Sequence, residues 1–254
     1  MRHPIRNKHK EEGLIFGIHP VLEALRAGKE IDKVLIQSGA ATPQLSELKR
    51  QLTELDIPMS YVPKEKLMQY SRINHQGLVA FLSPVDFSPL EEVLQQVYER
   101  GDDPFLLILD RVTDVRNFGA ICRTAECVGV HAVIVPTRGS ARIGGDAVKT
   151  SAGALMHIPV CRSMNLKDTL QYLKDSGIRL VAASEKGKTQ LFQTDLAGPV
   201  GIIMGSEETG ISPEYLKKCD EVLSIPMLGE TSSLNVSVAA GVMLYEVLRQ
   251  RLDL

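Results

Sequence analysis

Four short, almost unbroken apolar runs recur along the second half of the chain: "FLLILD", "HAVIVP", "IRLVAAS" and "PVGIIMG". A strand with one wet face alternates apolar and polar side chains. A strand without that alternation is buried on both faces, as in a parallel sheet covered by helices on each side. From about Pro104 onward the chain is therefore expected to form an α/β unit built on a mostly parallel sheet.

The front of the chain repeats the alternation on a smaller scale. In "IFGIHPVLEALRAGKEIDKVLIQ", Pro20 suits a first helical turn and Gly28 a helix stop, and "DKVLIQ" supplies a strand. A helix around Pro43 to Leu55, a short strand "IPMSYV", a helix from Lys64 and a strand "GLVAFLS" complete a small α/β domain over residues 1–85. "DFSPLEEVLQQVYERGDDP" is proline-bounded and helical in its middle, which suits a linker over 86–104, leaving 105–254 as the second domain. The 254 residues, 44% hydrophobic, suffice for two cores of this size.

Charge and cysteine usage exclude some function classes. A net charge of -2 argues against a surface that is all nucleic-acid clamp and leaves room for a local basic patch. The tail "MRHPIRNKHK", with Arg2, Arg6, Lys8 and Lys10, reads either as a solvated terminus or as a phosphate contact. No apolar run approaches the ~20 residues of a bilayer span, and the stretch 234–248 contains Glu246, so a cytoplasmic protein without membrane contact is expected. Cys122, Cys127, Cys161 and Cys219 form no C-x-x-C pair and have no histidines at zinc spacing, so reduced thiols and no metal are expected.

Ligands of open parallel sheets bind outside the carboxyl ends of the strands, and three segments there have unusual composition. After "FLLILD" comes "RVTDVRNFGAICRTAECVG", in which Asn117 suits a helix N-cap, Gly119 and Ala120 keep the first turn thin, and Arg123 follows on a mostly apolar helix. A capped helix with a snorkelling arginine accounts for those features equally well. After "PVGIIM" comes "GSEETGISPEYLKKCD", where Gly205 and Gly210 bracket an acidic turn and permit close backbone approach, to a ligand or simply within a turn. The third is "IPMLGETSSLNVSVAAGVMLYEVLRQR", a helix with a hydroxyl-rich start and almost no bulk at Ala239, Ala240 and Gly241. "GSARIGGDAVKT" is not a Walker loop, because Gly145 and Asp146 stand where Lys and Ser/Thr are required. The dinucleotide-binding glycine fingerprint is also missing after the first buried strand, which continues as "DRVTDVRN".

The segments "NFGAICRTAECVG", "GSEETGI" and "IPMLGETSSLNVSVAAG" closely resemble, in order and placement, the three motifs of the SpoU/TrmH branch of the SPOUT RNA methyltransferases. The front segment resembles that branch's RNA substrate-binding domain, which is akin to the ribosomal protein L30e fold. The layout is most like RlmB-type members, which methylate a guanosine 2′-hydroxyl of 23S ribosomal RNA. The resemblance implies a C-terminal trefoil knot with S-adenosyl-L-methionine bound among its loops, around Gly205, Ile225 and Leu234. It implies an active constellation of Asn117, Arg123, Glu207, Ser233 and Asn235, an RNA partner, large-subunit rRNA first, and a homodimer packed on the knot helices. Small residues at Ser237, Ala239, Ala240 and Gly241 would let a knotted chain pass at backbone distance. A 2′-O-methyltransferase of tRNA or of another rRNA nucleotide, and a non-catalytic RNA-binding homologue, are the rival readings.

Overall fold

The computed structural model describes residues 13–55, 57–70 and 75–253. The basic N-terminal tail lies outside them. The chain divides between Pro84 and Val85 into two compact units.

The first unit contains β1 (Leu14–Phe16), α1 (Ile18–Arg26), β2 (Ile31–Gln37), α2 (Pro43–Glu54), β3 (Met59–Val62), α3 (Lys64–Met68) and β4 (Leu78–Leu82). Its sheet runs β1-β4-β2-β3, antiparallel except for β2 with β3. Strand side chains alternate between faces, and β2 obeys this with apolar residues on both. Val34 and Ile36 pack with Val21 of α1 and Leu48 and Leu52 of α2, while Leu35 packs with Val62, Leu67 and Val79. Pro43 opens α2 behind the Thr42 cap, whose hydroxyl accepts the Leu45 N–H at 3.2 Å.

The second unit comprises α4 (Leu90–Glu99), β5 (Phe105–Leu109), α5 (Val115–Cys127), β6 (Ala132–Pro136), α6 (Gly145–Thr150), β7 (Val160–Ser163), α7 (Leu166–Asp175), β8 (Arg179–Ala183), β9 (Thr189–Gln190), β10 (Val200–Met204), α8 (Pro213–Leu216), β11 (Glu221–Ser224) and α9 (Val236–Arg251). Its seven strands run β7-β6-β5-β10-β8-β11-β9, and every described pairing is parallel. The apolar runs divide between the faces as unalternated strands must. Leu107, Leu109, Val133, Ile202 and Met204 meet α5 and α9, and Leu106, Ile108, Ile134, Leu180 and Ile203 meet α4 and α7. The 86–104 stretch, expected as a linker, thus supplies a core helix through Leu90, Val93, Leu94 and Val97.

Helix α9 is fastened at its far end. Glu246, 6% exposed, accepts from Arg249 at 2.9 Å and from Gln250 at 2.7 Å. Gln250 in turn donates to the Thr194 carbonyl and accepts the Leu196 N–H. Arg251 stacks over the Phe105 ring, 5.0 Å from its centroid, and donates to the carbonyls of Asp103, Pro104 and Gly198.

Two sequence expectations need correction. A Cβ on Gly241 would meet only Thr124 Cγ2, at 4.0 Å, so no backbone passes at that point. A backbone-distance approach between strand-end segments occurs instead at Gly187, where a Cβ would lie 2.5 Å from the Leu223 carbonyl carbon. Asn117 is not a cap either. Asp114 caps α5, accepting the N–H groups of Arg116 and Asn117, both at 2.8 Å, which places Asn117 inside the first turn.

Gly119 is required by packing rather than conformation, since its Cβ would fall 2.1 Å from Thr150 Oγ1 and 2.8 Å from the Ser151 nitrogen. Gly119→Ala should cost about 1–3 kcal/mol, the usual range for overpacking a core. At roughly 2–4 °C per kcal/mol in a chain of this size, the melting temperature reports it directly. An unchanged melting temperature would show that α5 and α6 are free to part.

Candidate active site

Strand β10 pairs with β5 on one side and β8 on the other, inserted between two strands that precede it in the chain. The strand order reverses there, and ligands of open α/β sheets bind outside the carboxyl ends of the strands at such a point. Asp110 and its loop leave β5 at that edge, residues 205–212 leave β10, and 225–235 leave β11 two positions away.

Three side chains from these segments join in one hydrogen-bond chain. Asn117 Nδ2 donates to Glu207 Oε1 at 2.6 Å, and Asn235 Nδ2 donates to Asn117 Oδ1 at 3.1 Å. Asn235 Oδ1 accepts from Ser237 twice, from its N–H at 2.9 Å and its hydroxyl at 2.6 Å, and so caps α9. The pattern fixes both amides. A carboxylate only accepts, so Asn117 must turn its NH₂ to Glu207, leaving its oxygen for Asn235, whose own oxygen then faces the helix. The residues meeting here lie 90 and 118 positions apart.

The remaining expected residues are placed differently. Arg123 is exposed on α5 and stands about 120° around the helix from Asn117. Ser233 is exposed on the 225–235 segment, outside the Asn117–Glu207–Asn235 chain. Ile225 and Leu234 are half-buried at the two ends of that segment. Between them, the N–H groups of residues 227–234 donate to no acceptor among the described residues. Unspent main-chain donors between two apolar side chains suit a flat, heteroatom-rich ring such as a purine, which needs apolar faces and edge-on polar partners.

The 205–212 loop is a miniature hairpin. Ser206 and Gly210 exchange N–H···O bonds of 3.2 and 3.0 Å, and the Ser206 hydroxyl accepts the Thr209 N–H at 3.1 Å, holding Glu207 and Glu208 at the tip. Gly205 is needed for this closure, because its Cβ would lie 2.2 Å from the Gly210 carbonyl carbon and 2.3 Å from the Ile211 nitrogen. The room that a glycine provides there is filled by the loop itself.

Asp110 and Arg111 escaped the sequence reading. Asp110 is 1% exposed and accepts the Ser212 N–H at 2.7 Å, and Arg111 adopts left-handed backbone with φ of 58°. For a residue with a Cβ that conformation costs about 1–2 kcal/mol. A charged pair ending a buried strand was the available signal.

Among the described residues no three His, Cys, Asp or Glu side chains group as they would around a metal ion. None of the described helices is long and apolar enough to cross a membrane.

Comparison with known proteins adds family relationships to this geometry. The SpoU rRNA Methylase family matches residues 104–245, and the RNA 2′-O ribose methyltransferase substrate binding family matches residues 14–88. A protein assigned to the TrmH family of tRNA/rRNA methyltransferases in Staphylococcus saprophyticus is 39% identical over 241 residues, 95% of this chain and 97% of the relative. Among solved structures, the SpoU methyltransferase AviRb from Streptomyces viridochromogenes, in complex with AdoMet, superposes with a TM-score of 0.61 at 26% identity, covering 98% of this chain and 95% of that one. The AdoMet-bound rRNA methyltransferase from Sinorhizobium meliloti gives 0.60 at 25% identity, covering 97% and 91%.

The loop geometry yields a direct test. Gly205→Ala should open the hairpin, lowering stability by about 1–3 kcal/mol and separating Glu207 from Asn117. Loss of the contacts between the 205–212 loop and Asn117 in a crystal structure of the variant checks this. An intact hairpin would mean that the glycine serves something other than the loop.

Proposed function

The chain belongs to the SpoU/TrmH family of RNA methyltransferases, and from that premise we propose that it transfers the methyl group of S-adenosyl-L-methionine to a ribose 2′-hydroxyl, on a guanosine of 23S ribosomal RNA. The observation that carries the reading is the Asn117–Glu207–Asn235 chain, assembled from three strand-end segments at the point where the sheet reverses its order. The match of residues 14–88 to a 2′-O ribose methyltransferase substrate-binding family favours the ribose oxygen and gives the first unit the role of holding RNA. The family name of the Staphylococcus relative covers both tRNA and rRNA, so tRNA is the second substrate class to assay.

The residues present fit the cofactor. Half-buried Ile225 and Leu234 would flank the adenine, the free N–H groups of 227–234 would meet its edge, and the loop closed by Gly205 would border the site. When bound, the cofactor would supply a methyl group on a sulfonium sulfur, its carbon–sulfur bond giving way to the new carbon–oxygen bond and the sulfur leaving as a neutral thioether. The protein's share is alignment of the ribose and care of its proton. Glu207, held through one oxygen by Asn117, keeps its other oxygen for the ribose. Ser233 and Asn235 would orient the ribose beside it, and the Asn235 cap fixes where α9 begins. Arg123 stays a cation, because a guanidinium does not lose its proton in a protein. It grips the adjoining RNA phosphate and steadies the oxygen that becomes negative, while the phosphate or a water takes the proton. The trefoil knot belongs to this proposal too. It is supported by the insertion of β10 between β5 and β8 and by the close backbone approach of Gly187 to β11.

Mapping 2′-O-methyl groups in total RNA from cells with and without the gene tests the substrate. Loss of one guanosine mark in 23S rRNA is expected, and an unchanged map overturns the proposal. In single-turnover assays Arg123→Ala should lower the rate about 10²-fold, in the range seen when an electrostatic partner of the transition state is removed. Arg123→Lys should recover little of that, since it restores the charge but not the planar fork. Near-normal turnover by the lysine variant would refute the bidentate grip.

The proposed dimer uses an exposed face of α9. Val238, Tyr245 and Leu252 are 52%, 55% and 56% exposed, and Gly241, Val242 and Leu248 between them are half-buried, a stripe at helical spacing. Tyr245→Glu should give a folded monomer by sedimentation. The same measurement on a fragment beginning at Val85, which keeps α4 on the sheet, should still show a dimer. A monomeric wild type at micromolar concentration would remove this part of the proposal.

A further inference from the structure

Asp110 and Arg111 take no part in the Asn117–Glu207–Asn235 chain, yet they hold the loop that presents Glu207. We propose that they are positioning residues, a buckle that fixes the base of the 205–212 hairpin and so sets where the Glu207 carboxylate stands. The inference rests on the reading above in one respect, that Glu207 belongs to the reacting site.

The hairpin cannot easily deform at its tip. The Ser206–Gly210 bridge and the bond from the Thr209 N–H to the Ser206 hydroxyl lock residues 206–210 together. What is left to it is a swing about its base, at Gly205 and at residues 211–212. The buckle acts on that base from both sides. The Asp110 N–H donates to the Met204 carbonyl at 2.8 Å, tying the strand end just before Gly205. Asp110 Oδ2 takes the Ser212 N–H at 2.7 Å, just beyond the hairpin. Arg111 closes the set. Its Nε and Nη2 meet Asp110 Oδ1 and Oδ2 at 3.0 and 3.3 Å, and the same Nη2 donates to the Gly210 carbonyl at 3.3 Å.

The backbone of Arg111 shows what this arrangement overrides. A φ of 58° is where glycine or asparagine is ordinarily found. Glycine would satisfy the turn after β5 without strain but has no guanidinium to reach Asp110 and Gly210. A residue kept in an unfavourable conformation while its side chain spans two segments points to the span as its purpose.

Arg111→Gly separates turn from span, since glycine keeps the left-handed backbone and deletes only the side chain. In the full-length protein, amide exchange over 206–212 should speed up at least tenfold, with the melting temperature within a few degrees of wild type. At saturating RNA and cofactor, kcat should fall at least tenfold while the cofactor Kd moves less than threefold, and added guanidinium should restore part of the loss. In a Glu207→Gln background the same substitution should cost less than a further twofold, because a residue acting through Glu207 has nothing left to position. Should Arg111→Gly fold poorly, Arg111→Lys enters the same cycle, since one ammonium cannot span Asp110 and Gly210 together. Unchanged exchange over 206–212 overturns the buckle whatever the activity, and full multiplicative losses in the double variant overturn its action through Glu207. A wild type that methylates no RNA, with exchange behaving as expected, overturns the functional reading and leaves the buckle standing.

Discussion

The pairing of β5 with β10 is the contact on which the rest of the second unit depends. Five residue pairs, Phe105 with Val200 through Leu109 with Met204, align two strands that the chain separates by some ninety residues. Their shared register makes them end together, so the loops leaving them start side by side. Asn117 meets Glu207 only because those two exits coincide. A shift of one residue would turn every side chain of β10 to the opposite face and carry the 205–212 hairpin away from α5. Burial of both faces of β10 makes such a shift prohibitive, and the precision of the site derives from the core beneath it.

The site itself is held by neutral amides. Asn117 and Asn235 each carry one donor and one acceptor group, and the chain from Ser237 to Glu207 uses them in a single consistent direction. A lysine or arginine in place of either would tie up the carboxylate as a salt bridge. Asparagine restrains Glu207 through one oxygen and leaves its charge in place. Arg111, under the hairpin, spends its guanidinium on Asp110 and the Gly210 carbonyl rather than on Glu207.

Much of this was legible from residue patterns. Unalternated runs such as "FLLILD" and "PVGIIMG" announced doubly covered strands, because burial on both faces leaves no polar positions. The strand-end segments stood out because their polar and glycine-rich content has no use in a core. Close approaches were harder to foresee. Gly241 looked like a crossing point and has only a side-chain methyl, Thr124 Cγ2, beside it, whereas Gly187, in an unremarkable "EKGK", touches the backbone of β11. Composition shows that a residue is small and says nothing of what fills the space. Asn117 looked like a cap because asparagines often are, but Asp114 had the better position and freed Asn117 to reach across to another loop. Asp110 and Arg111 gave little signal, since what they hold on the hairpin, the Ser212 N–H and the Gly210 carbonyl, are backbone groups, which every residue has.

The fastening of α9 bears on how the protein is made. Arg251, at the end of α9, stacks on Phe105, in the first strand of its unit, and donates to the carbonyls just before it. The second unit therefore cannot close until the chain has emerged as far as Arg251, and its central strand β10 must enter between neighbours already laid down. The first unit owes nothing to later residues for its sheet. At ribosomal speeds of about 5–20 residues per second, the interval between the emergence of β5 and that of Arg251 is on the order of ten to thirty seconds. For that time the nascent chain carries a finished small domain followed by a second unit that still lacks the helix closing its first strand.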